Sequence, residues 1–317
     1  METSVITEVF LSKFVKSATF FHSIFLLILL NTQVYSQMID NSYGQVFTDK
    51  PYFNENFIQK MKIKSISGLF WNYKLGDKLR NTEYFKYFEF NQKGQLIADY
   101  ESLQNTKNDT LIQKFEYTEN GDLKSIKVRD KYGYYFHIYE YNKDHQVVRY
   151  IYKRSYDRCY LSPDKISLDD DDIIAMETYS YEKYDNQIKQ ITYNQSNLPY
   201  KEAISYYTSD NQLEGKLERL LRTSQTTRTS YHYNEKKKLD TLIISSKLND
   251  NNNLLYVFSY DDTGKLLKKE IHRNNEYTTQ YQIIYKDDSN FINDILIQDL
   301  NTNFIRVIKL RDYKYFD

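Results

Sequence analysis

The hydrophobic and polar positions of this chain recur in one phrase: an aromatic residue, any residue, a second aromatic residue, about four polar residues, then an apolar residue. Its cleanest copy runs from Phe258 and Tyr260 through Asp261-Asp262-Thr263-Gly264-Lys265 to Leu266. The same frame fits Phe88/Phe90/Leu96, Phe115/Tyr117/Leu123, Tyr139/Tyr141/Val147, Tyr231/Tyr233/Leu239 and Ile283/Tyr285/Phe291, with looser copies at Tyr207/Leu213 and Tyr181/Ile188. Rings two residues apart share one face of a strand, because side chains alternate along it. The polar stretch is then a hairpin turn. Gly94, Gly121 and Gly264 each fall four residues after the second aromatic, where a turn demands positive φ. His145, Asn211, Lys237 and Ser289 fill that slot elsewhere, and Lys237 points to a looser turn. Ile126, Tyr150, Ile191 and Leu242 follow the closing apolar residue by three, out of step with alternation, so a bulge is expected in the return strand.

The units start at 88, 115, 139, 179, 205, 231, 258 and 283, and only the step from 139 to 179 departs from a 24–27 residue spacing. A fixed period of this size marks a repeat architecture. One hairpin is marginal alone, so neighbours must share an apolar face and the ends must be capped. The pattern divides the chain into residues 37–68, an irregular N-terminal cap segment, and 69–317, a repeat domain with an insertion at about 153–172. Trp71/Tyr73/Leu79 also fits, as a truncated first unit. Arg306, Lys309, Arg311, Asp312 and Lys314 read as the charges of a strand edge guarded against pairing. The expected fold is all-β: antiparallel hairpin repeats in a twisted, curved open sheet. The alternative is a small propeller, because two units hold about as many residues as one four-stranded blade.

The phrase resembles the YD repeat of Rhs and teneurin-type proteins, whose units carry a Tyr-Asp pair, a turn glycine and an apolar residue. Tyr260-Asp261 with Gly264 and Leu266 matches, whereas Tyr117, Tyr141, Tyr207 and Tyr233 are followed by Thr118, Asn142, Thr208 and Asn234. The resemblance covers about residues 69–300 and implies an exported bacterial protein built as a curling strip of hairpins; it implies nothing about activity.

Lys13 and Lys16 precede an apolar run from Phe20 to Leu30, and Val34 and Ser36 supply the small residues at minus three and minus one for cleavage after Ser36. This is the layout of a secretory signal over residues 1–36, too short to span a bilayer comfortably. The mature chain is expected to start near Gln37 and to reside in the periplasm, at the cell surface or outside, with no membrane span after cleavage. Formal charge is zero, from 43 basic and 43 acidic residues, which removes any electrostatic case for a nucleic-acid partner. With Cys159 as the sole cysteine, no intramolecular disulfide exists and the core must hold the fold.

Candidate chemistry is thin. Asp169–Asp172 are contiguous, lack a following glycine and place Ser180 at position twelve, so a solvated loop is expected rather than a calcium site. His22, His137, His145, His232 and His272 show no metal-ligand spacing, and no nucleophile or phosphate-loop motif occurs, so no catalytic residue, metal or cofactor is assigned. The phrase aromatics belong to the core, and the off-register ones near the insertion are the expected binding residues: Tyr132, Tyr134, Tyr135, Tyr156, Tyr160 and Tyr184. The expectation is an exported, monomeric, non-catalytic binding or scaffold protein that contacts a protein or glycan. An exported glycan hydrolase is the alternative.

Overall fold

The computed structural model describes residues 37–103, 109–156, 161–169, 172–247, 253–287 and 289–317. Among these residues the phrase becomes a meander of eighteen antiparallel strands. They are β1 (Ile63–Lys74), β2 (Arg80–Phe90), β3 (Leu96–Ser102), β4 (Thr110–Tyr117), β5 (Leu123–Asp130) and β6 (Gly133–Tyr141). Next come β7 (Val147–Ser155), β8 (Ile173–Tyr184), β9 (Gln187–Tyr193), β10 (Pro199–Tyr207), β11 (Leu213–Leu220) and β12 (Thr226–Tyr233). The last six are β13 (Leu239–Ser246), β14 (Leu254–Tyr260), β15 (Leu266–Arg273), β16 (Glu276–Tyr285), β17 (Ile292–Asp299) and β18 (Phe304–Tyr315). A short helix, α1 (Glu55–Lys60), precedes them, capped by the Asn54 side chain on the Phe57 amide.

Each strand pairs with its sequence neighbours, and β1 also pairs with β18, from Ile63 opposite Tyr315 to Lys74 opposite Phe304. The sheet closes on itself as an up-and-down barrel. This corrects the expected open curved sheet and the propeller alternative. It also corrects the YD-repeat (Rhs-like) assignment, because a sheet whose first and last strands pair is a barrel rather than a curling strip. The charges of β18 are not an edge guard: Lys309 lies over the Trp71 ring and Arg311 binds Asp294. The first half of β1 escaped the sequence pattern, which begins at Trp71 and Tyr73, because register shifts at Ile63/Ser65 and Ser67/Gly68 break its alternation. Gly68 permits the closure, since a Cβ there would sit 2.1 Å from the Lys309 carbonyl oxygen.

The repeat has a hydrogen-bond logic. The residue after the second aromatic supplies an oxygen to the turn. Asn91 accepts from the Lys93 and Gln95 amides, and Asn142, Asn234 and Asp261 make the equivalent pairs. Asn, Asp or Thr can each fill this role, which is why the Tyr-Asp pair is dispensable. The slot three further on has positive φ at Gly94, Gly121, His145, Asn211, Lys237 and Gly264. The turn at Lys237 is therefore the same turn, not a looser one. A register shift follows in seven of the eight hairpins, as the out-of-step apolar residues imply. The exception is β8–β9, which turns in two residues after Tyr184. The Trp71/Tyr73 phrase makes the β1–β2 turn, at the rim opposite the other phrase turns.

The second aromatic stitches units together. Tyr117, Tyr141, Tyr233, Tyr260 and Tyr285 donate their hydroxyls to the carbonyls of Leu96, Leu123, Leu213, Leu239 and Leu266, at 2.7–2.9 Å. Tyr181 does the same to Val147, and Tyr313 to Ile292. In each case the acceptor opens the return strand of the preceding hairpin. The ring fills the core and the hydroxyl ties a backbone acceptor, at about 1 kcal/mol per bond.

Residues 37–61 run through the barrel. A Cβ on Gly44 would touch Leu242 and Phe258, while Lys50 lies over the Tyr139 ring. These contacts sit on β13–β14 and β6. Six residues span at most about 20 Å, whereas the wall from β6 to β13 measures about 34 Å at ~4.8 Å per strand. The segment therefore crosses the lumen, and the phrase aromatics it touches face inward. Phe53 packs edge-on against Phe88 and Phe90 at centroid distances of 4.9 and 5.0 Å, and Phe47 stacks on Tyr281 at 4.8 Å. Lys269, almost fully buried, donates to the Val46 carbonyl at 2.7 Å.

The outer wall is charged. Ion pairs Glu116–Lys127, Glu140–Arg149, Glu182–Lys189, Glu202–Arg219, Lys268–Glu270 and Asp294–Arg311 recur around it. Over β4–β6 the described residues 161–169 of the insertion lie against this wall. Tyr134 donates to the Leu161 carbonyl, a 3-10 turn at Pro163–Lys165 packs on β4 and β5, and Lys153 holds the Leu168 and Asp169 carbonyls.

Candidate functional site

The lumen is divided. Against β1–β3 and β13–β18 the threaded segment and the phrase aromatics form a dry core, in which Phe88, Phe90, Leu239, Phe258, Leu266 and Ile283 are buried. On β7–β12 only Thr192, Ala203 and Thr229 are buried. The inward side chains of that arc, with those of β6, are half-buried and rich in tyrosine.

Strand register places its centre. Tyr139 faces Tyr150, His137 faces Tyr152, and Tyr135 faces Arg154; Tyr150 in turn faces Glu177 on β8. The His137 ring stacks on Tyr152 at 5.1 Å and on Tyr150 at 6.0 Å, and meets Tyr135 edge-on at 5.9 Å. Its Nδ1 is 2.8 Å from the Tyr150 hydroxyl. Burial pushes the His137 imidazole below its ordinary value; Asp49 of the threaded segment opposes this and Lys50 adds to it. The imidazole is thus neutral at pH 7 and serves as a flat, weakly polar ring. Burial also raises the Tyr139 and Tyr150 hydroxyls, to about 12 each. On β8, Glu177 accepts from the hydroxyls of Tyr179 and Tyr200, both of which burial and this carboxylate hold above their ordinary values. The result is a wall of ring faces with fixed hydroxyls, one carboxylate and few free charges. Such a wall can stack against sugar rings or planar groups and hydrogen-bond their substituents.

The lumen's buried acids are engaged otherwise. Lys86 binds Asp99 at 2.7 Å and Glu101 at 2.8 Å. Burial alone would lower the Lys86 ammonium, but the two carboxylates more than offset it and leave it raised. A carboxylate pair bridged by an ammonium provides neither a free general acid nor a free nucleophile. Among the described residues no cluster of His, Cys, Asp or Glu has the geometry to hold a metal ion.

The six tyrosines expected from sequence are not brought together. Tyr135 lies in the lumen wall. Tyr134, its neighbour, points outward and is buried under the insertion. Tyr132 and Tyr156 are exposed at the rim where β5 turns into β6 and β7 ends; Tyr184 is exposed at the opposite rim. Tyr160 and Cys159 lie outside the described residues. His137 was set aside for lack of metal-ligand spacing, and Tyr150, Tyr152, Glu177, Tyr179 and Tyr200 were not expected as site residues. The alternation of Tyr135, His137 and Tyr139 was the available signal, but it reads as core unless the filling of the lumen is known.

No family model matches the chain, and no curated protein does. The solved structures it is similar to include a porin-like protein from Bacteroides uniformis (9% identity, TM-score 0.37, covering 80% of this chain and 98% of that one). Another is a porin-like protein from Bacteroides vulgatus (11%, 0.31, 78% and 97%). A LolA-superfamily protein from Nitrosomonas europaea also appears (9%, 0.19, 81% and 87%). At TM-scores below 0.5 these likenesses carry no argument about function, and the barrel rests on its own strand pairing.

Proposed function

We propose that this protein is an exported, non-catalytic binding barrel that holds a glycan chain against the tyrosine wall of its lumen. The observation that carries the reading is the inward stack of Tyr135, His137, Tyr150 and Tyr152, which stays half-buried beside Asp49 and Lys50 of the threaded segment. The charged outer wall supports a barrel that faces water, since Lys or Arg on a lipid face costs about 2–4 kcal/mol at the bilayer midplane. The basic and apolar layout of residues 1–36 supports export. A hydrolase has less support, because the buried acid pair is bridged by Lys86.

The test is binding of the full chain to immobilised cell-envelope and extracellular polysaccharides, compared with the double variant Tyr135→Ala/Tyr152→Ala. Saturable retention of at least one polysaccharide, weakened about tenfold or more in the variant, is the expected result. Equal retention by both proteins would place binding elsewhere.

A further inference from the structure

A second cavity lies at the rim where the phrase turns gather. It has a volume of about 290 Å³ and is bounded by residues 37–43 of the threaded segment and by the β10–β11 and β12–β13 turns. Three aromatic rings line it: Tyr43, which is well exposed, Tyr233 and Tyr260. At its side stands Asn41, only 4% exposed. The Asn41 amide donates to the Tyr260 hydroxyl at 3.1 Å, but its Oδ1 is buried with no hydrogen-bond partner. Such an acceptor costs about 1–3 kcal/mol when left unmade, so a donor arriving in the cavity would gain that energy. Tyr260 cannot supply it, since its proton already goes to the Leu239 carbonyl.

The charge of the cavity is set by lysines. Lys236, Lys237 and Lys238 all line it. Lys236 reaches the Asp262 carbonyl and Lys237 pairs with Asp210 at 2.5 Å. Half-buried Lys238 has no carboxylate partner among the described ion pairs. Asp40, the acid of the lining, spends one oxygen on the Ser42 amide and hydroxyl. A ligand that fits must bring a hydrogen-bond donor for Asn41, an anionic group for Lys238 and a flat apolar face for Tyr43 and Tyr233.

We infer that this rim cavity is a binding site for a uronic acid residue: ring hydroxyl on Asn41, carboxylate on Lys238, pyranose face on the tyrosines. The inference rests on the glycan reading above and names the sugar class, but it uses a site separate from the lumen wall.

The test is titration calorimetry of the full chain with D-glucuronate and D-glucose as monosaccharide probes. Glucuronate is expected to bind saturably and glucose at least about tenfold more weakly. Asn41→Leu should weaken glucuronate about tenfold while holding or raising Tm, because it removes the orphan acceptor. Lys238→Gln should bring glucuronate down to the level of glucose. Tyr135→Ala/Tyr152→Ala should leave glucuronate binding unchanged, which separates this site from the wall. Absence of saturable glucuronate binding, or binding undiminished in Asn41→Leu and Lys238→Gln, overturns the inference even if the wall variant still loses polysaccharide.

Discussion

Raising the pH should unfold the barrel abruptly, and the reason lies in the stitching hydroxyls. Tyr141, Tyr181 and Tyr260 are pushed up to about 12 by burial, and Tyr117, Tyr233, Tyr285 and Tyr313 are also raised, burial being the first cause in each. In an unfolded chain tyrosine ionises near pH 10. The folded chain therefore keeps protons that the unfolded chain releases. The stability these groups contribute is complete below about pH 10 and falls as pH rises toward their folded values. At about pH 11 each fully protected hydroxyl subtracts about 1.4 kcal/mol. Seven would subtract about 10 kcal/mol, and halving this for partial exposure leaves about 5. That is comparable with the whole stability of a typical fold, about 5–15 kcal/mol. Far-ultraviolet circular dichroism and tyrosinate absorbance, followed together, should show one steep, coincident transition between about pH 10.5 and 11.5. Gradual tyrosinate formation centred near pH 10, with the β signal intact at about pH 11.5, would refute the burial of these hydroxyls.

Three further outcomes follow from the same structure. Lys269 is held down to about 8 by burial, so the folded state binds fewer protons than the unfolded state between that value and about 10.4; stability should rise by about 2 kcal/mol from pH 8 to 9.5, a gain that thermal melts should find missing in Lys269→Met. Gly68→Ala places a Cβ 2.1 Å from the Lys309 carbonyl, and denaturant unfolding should register a loss of about 2 kcal/mol or more. Tyr134→Ala should cost about 3 kcal/mol by the same measurement, because it empties the site under the insertion, while Tyr132→Ala at the exposed rim should be nearly silent.

The eight hairpins were legible in the chain, with most of their turns and bulges, because each is fixed by local chemistry: a pair of rings, an oxygen-bearing side chain, a residue tolerant of positive φ. The two-residue, unbulged β8–β9 turn and the ordinary turn at Lys237 were misread. What local chemistry does not encode is where the eighteenth strand goes. The first half of β1 carries two register shifts that erase its alternation, and the lysines and arginines of β18 have the same composition whether they guard an edge or reach across a seam. The lumen site was hidden for a related reason. Tyr139 and Phe258 occupy equivalent positions in the phrase, yet Phe258 is sealed against the threaded segment and Tyr139 is only half-buried. That difference depends on the path of residues 37–61, which have no period to read.

Closure is the claim on which the lumen, its filling and both binding sites depend. Leu69 and Lys309 face each other across the β1–β18 seam. Directly opposed antiparallel residues have Cα atoms about 4.5–5.5 Å apart, within the span of a disulfide. In a Cys159→Ser background, the double variant Leu69→Cys/Lys309→Cys should oxidise to a monomer with an internal bond, seen as a faster-migrating band on non-reducing gels at dilute concentration. Crosslinking only between molecules, with no internal bond in the folded monomer, would mean that the seam is open and the barrel is not closed.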